Sequence, residues 1–419
     1  MGLYGKRYKV EDVSVRAFMA LTVAGLWGRL PEGFTFRETV SGAGAGSGGV
    51  ELEDIDWEAV LQLAREQALV GIIASAFDAG EGESAAVGLG FELEEVLDKA
   101  QRKAFAKKVY SLEQRNLKMD RFVLKLFRWL EDQGLHPILL KGQGIAKSYR
   151  NTLRRTPGDV DVLLMPSEYE VAKNLLIPKA SKLISQTREG DHVAFVLKGF
   201  IVELHSNIHV FLDRKTDAAF DSLMEDIFAG NKMSSIGLQV FDEDAAYEVH
   251  VLPVSQNVLY VFCHLLQHFF SAGIGLRQVC DLARLLYVHG NELDTEWLGT
   301  QIEKFGIMDE WNAFGALMVE YLGLPYVAMP KFGGNAVELG PKWSRKARLI
   351  LCYILSVGNM GHNRDVTYKK KYSYIVRKTI SLSKLISNAF RLGRIFPKDV
   401  ARISFNGISE AIGRLEERK

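Results

Sequence analysis

The chain has 419 residues, enough for two or three compact units at roughly 100–200 residues each, and its 52 Lys+Arg against 51 Asp+Glu leave a net charge of +1. So even a balance speaks against a protein that grips long duplex nucleic acid by counterion release alone. A mean hydropathy near zero and a 47% apolar share place the chain in the ordinary globular class rather than the disordered or membrane classes.

Residues 17–27 form an apolar stretch behind basic residues, the outline of a secretion leader. Glu11 and Asp12 interrupt the basic part, and the stretch is too short to span a bilayer, so an amphipathic or buried helix is predicted. Lys6 stands where an N-myristoylation signal wants Ser or Thr. These features, with three cysteines (Cys263, Cys280, Cys352) that form no CxxC pair and sit in apolar surroundings, lead to the expectation of a cytoplasmic protein with buried, reduced thiols. Residues 41–49 (SGAGAGSGG) read as a flexible connector. Residues 57–77 carry apolar side chains at helical spacing, with Asp54 and Asp56 as candidate caps. A second glycine-rich patch, 80–90, precedes a helical pattern over 93–133 that reads as one helix or two in succession, with Gly134 as its stop.

The texture changes at His136. Residues 137–140 are a short apolar run, closed by Lys141-Gly142-Gln143-Gly144, and 145–150 return to helical spacing: strand, glycine turn, helix. After a Thr156-Pro157-Gly158 turn comes Asp159-Val160-Asp161, leading into the apolar run 162–165. In a strand, residues i and i+2 share a face, so both aspartates project together while Val160 faces a core. Carboxylates held that close repel, and a divalent cation with hard oxygen preference, Mg²⁺ above all, is the usual compensation. Residues 167–180 read as a helix capped by Ser167, with Glu168 and Glu170 at its positive end. Residues 192–197 and 200–205, joined by Lys198-Gly199, read as a β-hairpin whose second strand carries an acid, Glu203, among apolar residues. From 254 onward the pattern is mainly helical: 254–270, 276–289, 295–304, 310–322 and much of 342–415. The last part is basic, from Lys369-Lys370-Lys371 through Arg391, Arg394 and Arg402 to Arg418-Lys419. It reads either as a solvated helical face or as a contact for an anionic partner or membrane surface.

The α/β stretch thus brings together a glycine turn opening a helix, a geometry that favours phosphate, and three carboxylates on adjacent strands. That is the equipment of two-metal phosphoryl or nucleotidyl transfer. The order Leu-Leu-Lys-Gly-Gln-Gly, then Arg-Thr-Pro-Gly-Asp-Val-Asp-Val-Leu, then Val-Glu-Leu-His resembles the DNA polymerase beta-type nucleotidyltransferase superfamily. More narrowly, it resembles a bacterial family of nucleotidyltransferase proteins most of whose members are uncharacterised. The resemblance is clear over about residues 130–290. It includes Cys263-His264 with His268, Gly275-Leu276-Arg277-Gln278 and Asp281-Leu282-Ala283.

The resemblance implies an α+β fold: a small mixed-sheet nucleotidyltransferase core at 134–252, between a helical region at 1–133 and another, with the basic tail, at 253–419. It implies Asp159, Asp161 and Glu203 as catalytic metal ligands for Mg²⁺ or Mn²⁺, two ions in all. Lys141, Gly142, Gln143, Arg155 and Gly158 then contact the nucleoside triphosphate, and His205, His264, His268 and Arg277 form an acceptor pocket. Two positions depart from the usual pattern: Gln143, where Gly or Ser is commoner, and Glu203, where Asp is commoner. The expected activity moves a nucleoside monophosphate from an NTP to an unidentified hydroxyl acceptor (protein, sugar or small molecule) and releases pyrophosphate. The alternative is a catalytically silent nucleotide-binding or scaffold protein on the same fold.

Several residues carry plainer readings beside these. Asp159 and Asp161 have the alternative of a turn acid and a surface acid, Glu203 that of a lone acid on an exposed hairpin face, and Lys141 that of a surface lysine. Arg155 pairs with one of the two aspartates or meets phosphates. His205 and His209 are metal ligands or hydrogen-bonded neighbours of the site. His264 and His268, one turn apart, lack the glutamate of an H-E-x-x-H motif, which favours packing or an acceptor role over ligation. Arg277 and Asp281 read as an i,i+4 ion pair.

Overall fold

The computed structural model describes residues 8–37, 49–78, 89–187, 191–208, 214–229, 233–238, 247–332, 340–363 and 373–400. Almost all of the two glycine-rich connectors, His209, Lys369-Lys370-Lys371 and everything after residue 400 lie outside these.

Helix α1, Val13–Trp27, is buried from Ala17 to Leu26 on every side, so the apolar stretch is a core helix. Fully buried Phe18, Leu21 and Leu26 each contribute about 2 kcal/mol by leaving water. Among the described residues no helix is long and apolar enough to cross a membrane. Two three-residue strands, β1 (Thr35–Arg37) and β2 (Gly49–Glu51), pair in parallel. The 57–77 pattern is two helices, α2 (Trp57–Glu66) and α3 (Val70–Ser75), broken where Ala68 takes φ +57°. Asp56 caps α2 by accepting from the Ala59 N–H. The 93–133 pattern is likewise two: the short α4 (Leu93–Val96) and the 34-residue α5 (Lys99–Asp132), which starts at an Asp98–Gln101 capping box.

There follow β3 (Ile138–Leu140), α6 (Gly142–Ala146), β4 (Val160–Leu163) and α7 (Pro166–Leu176). Ser167 is not the α7 cap: Met165 holds that position and Pro166 takes the first helical residue, where its missing N–H costs nothing. Strands β5 (Lys182–Gln186), β6 (His192–Leu197) and β7 (Phe200–His205) come next, then α8 (Arg214–Ala229), β8 (Ser234–Leu238) and β9 (Tyr247–Val251). The β6–β7 hairpin forms as the sequence predicts, with Lys198 at φ +49° and Gly199 at φ +86°, both left-handed as a two-residue hairpin turn requires. The rest is helical: α9 (Val254–Phe270), α10 (Leu276–His289), α11 (Thr295–Lys304), α12 (Met308–Leu322), α13 (Pro341–Val357) and α14 (Tyr374–Gly393). Cys263 on α9 and Cys280 on α10 are buried as expected, Cys352 on α13 is only half-buried, and no disulfide joins the three.

Seven strands form one mixed sheet in the order β5-β6-β7-β4-β3-β9-β8. β4 runs antiparallel to β3 and parallel to β7, and β3 runs parallel to β9. The fold is therefore α+β, a mixed sheet among helices. The pleat divides the central strands between two apolar cores. Leu139, Val160, Val162, Val202 and Leu204 pack with α5 and α7, whereas Ile138, Leu140 and Leu163 join the core shared by α1–α3 and α9–α13. The acids of β4 and β7 lie on this second face, toward α9.

Candidate active site

In the β4–β7 register Val160 faces Val202 and Asp161 faces Glu203. The apolar partners sink into the core below, so period-2 alternation turns the acids the other way together. Asp159, one pleat before Asp161, joins them, and ligand oxygens of Asp159, Asp161 and Glu203 lie within 4.8 Å of one another. Repulsion from Asp161, then burial, push the Asp159 carboxyl up to about 6. Burial works the same way on Asp161, but Lys141 and His205 overcome it and hold that carboxyl well below its usual range. Burial also opposes ionisation of Glu203, but the hydrogen bond with His192 and the charges of His205 and Lys141 together outweigh it, lowering the pKa. All-oxygen donors with an unrelieved repulsion among them suit a hard divalent cation.

Lys141 ends β3 at φ +50°, ψ −136°, a conformation L-residues rarely adopt. That backbone sends its ammonium inward: Nζ lies 3.0 Å from Asp161 Oδ1, 3.2 Å from His264 Nε2 and 5.6 Å from the Tyr260 ring centre. Burial pulls against the charge, yet Asp161, Tyr260 and Asp159 keep it well above the normal lysine range. Lys141 is thus a largely buried counter-ion to the acids, at the wall of the cavity, rather than a surface lysine. His264 is driven well below its usual pKa by burial and by Lys141, and His268 falls to about 4 for the same reasons, so both rings are neutral at pH 7. Their centres are 4.4 Å apart, edge to face, and His268 Nδ1 is buried without a hydrogen-bond partner among the described residues. His205 Nε2 lies 3.2 Å from Asp161 Oδ1, and His192 Nε2 lies 3.3 Å from Glu203 Oε2.

A cavity of about 220 Å³ opens beside Glu203, walled by Lys141, His192, His205, Tyr260, His264 and His268. A larger cleft, about 660 Å³, lies elsewhere, between α1 and the end of α12, away from the paired acids. Arg277 does not line the smaller cavity. Its Nη1 donates to the Thr156 carbonyl at 3.1 Å and sits 3.9 Å from Asp281 Oδ2, so the i,i+4 pair is present but long.

Arg155 pairs with neither Asp159 nor Asp161. It makes a buried two-point ion pair with Asp281, Nε to Oδ1 at 2.7 Å and Nη2 to Oδ2 at 2.8 Å, and Tyr149 donates its hydroxyl to the same Oδ1. Arg155 Nη1 and Arg277 Nε remain buried without partners among the described residues. Gln143 is turned away from the acids as well: buried at 3% exposure, it donates through Nε2 to Asp120 on α5. Only its backbone N–H is left for a phosphate. Gly142 adopts φ +43°, and a side chain there would crowd the Asp159 carbonyl only to 3.5 Å, so conformation rather than space selects glycine. Gly158 is exposed with open space around it.

The sequence pattern does not mark His192, Tyr260 or the joining of Arg155 with Asp281 and Tyr149. The hairpin turn could have supplied the first, since a two-residue loop at 198–199 sets His192 opposite His205. The others come from α9, α10 and the segment after α6, whose approach to the acids carries no local signal.

No curated protein matches this chain. A family model described as "Uncharacterised nucleotidyltransferase" matches residues 53–323. The match takes in α2 to α12 with every strand of the mixed sheet, well over half of the molecule, and the chain belongs to this nucleotidyltransferase family.

Proposed function

We propose that this protein transfers a nucleoside monophosphate from an NTP to a hydroxyl acceptor and releases pyrophosphate. The acceptor oxygen would bond to the α-phosphorus as the bond to the bridging oxygen of pyrophosphate breaks. The observation that carries the reading is the convergence of Asp159, Asp161 and Glu203 beside the ammonium of Lys141. Those carboxylates would hold Mg²⁺ or Mn²⁺, which when bound would acidify the acceptor hydroxyl and neutralise phosphate charge. Lys141, released from Asp161 when a cation takes its place, would turn its ammonium to the phosphates. The acceptor would enter the cavity beside Glu203, where neutral His264 and His268 can exchange hydrogen bonds with its hydroxyls.

The test is NTP-dependent labelling of wild type beside Asp161→Asn over a panel of acceptors, the protein itself included. Label transferred by the wild type alone supports the reading; equal labelling of both removes it. The silent alternative predicts calorimetric binding of NTP·Mg²⁺ with no turnover for any acceptor. We also propose a cytoplasmic location, an inner unit at 134–252, and an anionic surface as the partner of the C-terminal region. Helix α14 has no acidic residue and exposes Val376, Leu382, Leu385, Ile386 and Phe390. Vesicles containing phosphatidylserine, set against pure phosphatidylcholine, should retain the full chain and release one cut after residue 365.

A further inference from the structure

We propose that His192, Glu203 and His205 form a second cation site, distinct in chemistry from the three-carboxylate set and selective for a borderline divalent ion of the manganese-to-zinc series. The hairpin builds it. In the antiparallel β6–β7 register His192 lies directly opposite His205, and Glu203 lies two residues before His205 on the same face. One ligand atom from each comes within 4.8 Å of the other two. The Glu203 Oε2 atom stands 3.3 Å from His192 Nε2 and 3.8 Å from His205 Nε2, and the imidazole centres are 4.8 Å apart. His192 turns Nε2, the outer ring nitrogen, to this oxygen, and His205 Nε2 stands between it and Asp161 Oδ1, 3.2 Å away. All three side chains are partly open, with 25%, 26% and 17% exposure in chain order, and all three line the 220 Å³ cavity, which gives an ion an entry path and room for a further ligand.

Donor chemistry separates this site from its neighbour. Two imidazoles and a carboxylate suit Mn²⁺, Fe²⁺, Co²⁺ or Zn²⁺, whereas Mg²⁺ prefers the oxygen-only set of Asp159 and Asp161. Three protein ligands leave positions open, as catalytic rather than structural sites do. Glu203 belongs to both groups and would bridge them, which places the borderline ion on the cavity side of the acids. The inference stands apart from the transfer reading, because it concerns binding of the metal alone.

The test is direct metal analysis and isothermal titration of chelator-stripped full-length protein with Zn²⁺, Mn²⁺ and Mg²⁺. The variants are His192→Asn, His205→Gln and Asp159→Asn, with circular dichroism as the folding control. One Zn²⁺ per chain, or one Mn²⁺ beyond any held by the three carboxylates, is expected in the wild type and in Asp159→Asn, with binding at least tenfold weaker in each histidine variant. A wild type that binds neither ion, or binding lost in Asp159→Asn and kept in His192→Asn, overturns the proposal. Pulsed electron paramagnetic resonance of Mn²⁺-loaded wild type needs no variant: nitrogen couplings from imidazole are expected, and a bound ion without them is equally fatal. Metal-free hydrogen bonding between these histidines and the acids is then their whole role.

Discussion

Asp159 and Asp161 share a face and a chemistry, yet their electrostatic surroundings predict opposite effects on the cation-free fold. Asp159 sits near 6 in the folded chain against ~3.9 when unfolded, so the fold holds its proton more tightly than the unfolded chain does. The stability this brings is complete below about pH 4 and is lost as pH rises through 6. Asp159→Asn should therefore raise cation-free stability at pH 8, by on the order of 2 kcal/mol. Asp161→Asn should lower it by about 3 kcal/mol, because Lys141 would keep a buried charge without its partner. Both variants should lose transfer activity; thermal melts without metal read the difference in sign. Because a proton competes with a cation at Asp159, Mg²⁺ affinity should climb between pH 5 and 7 in calorimetry, and the climb should vanish in Asp159→Asn.

Between elements, the decisive join is α10 against the loop that precedes β4. Arg155, Asp281 and Tyr149 form a closed, buried set, and Asn116 on α5 donates to the carbonyls of Leu153 and Arg155. Thr156 adds a 2.7 Å bond to the Ala68 carbonyl in the bend between α2 and α3. Held on three sides, the loop fixes where Asp159 enters the site. Asp281→Ala leaves two buried guanidinium groups without their carboxylate and should cost about 3–5 kcal/mol in denaturant melts. Cation affinity should fall with it, since the loop carrying Asp159 loses its anchor. The hairpin is fixed differently, by a turn read straight from Lys198-Gly199. Gly199→Ala should cost about 1 kcal/mol at φ +86° and weaken metal binding at the hairpin without moving the aspartates.

At the scale of the whole molecule, the helices before and after the sheet are built into one apolar core. Gln67, fully buried between α2 and α3, donates to the carbonyls of Ile354 and Leu355 on α13 and accepts from the N–H of Leu276 on α10. Gly25 of α1 lies so close to Ile72 of α3 that a methyl group would stand 1.9 Å from its carbonyl oxygen. A core so shared should open cooperatively. Hydrogen exchange in α1 and α13 is expected to report the same opening free energy within about 1 kcal/mol. Exchange in α1 faster by a hundredfold or more would show that the two helical regions open separately.

The sequence by itself determined the strand–turn–helix order, the hairpin with its register, and the sharing of a face by Asp159 and Asp161. Each follows from periodicity and turn chemistry acting over a few residues. Tertiary structure alone decided that Lys141 answers Asp161, that Arg155 answers Asp281 126 positions away, that Gln143 turns toward Asp120, and that α9 brings two neutral histidines over the acids. Such pairings depend on which helix packs over which sheet face, and apolar burial selects that globally, without leaving a mark on the local pattern.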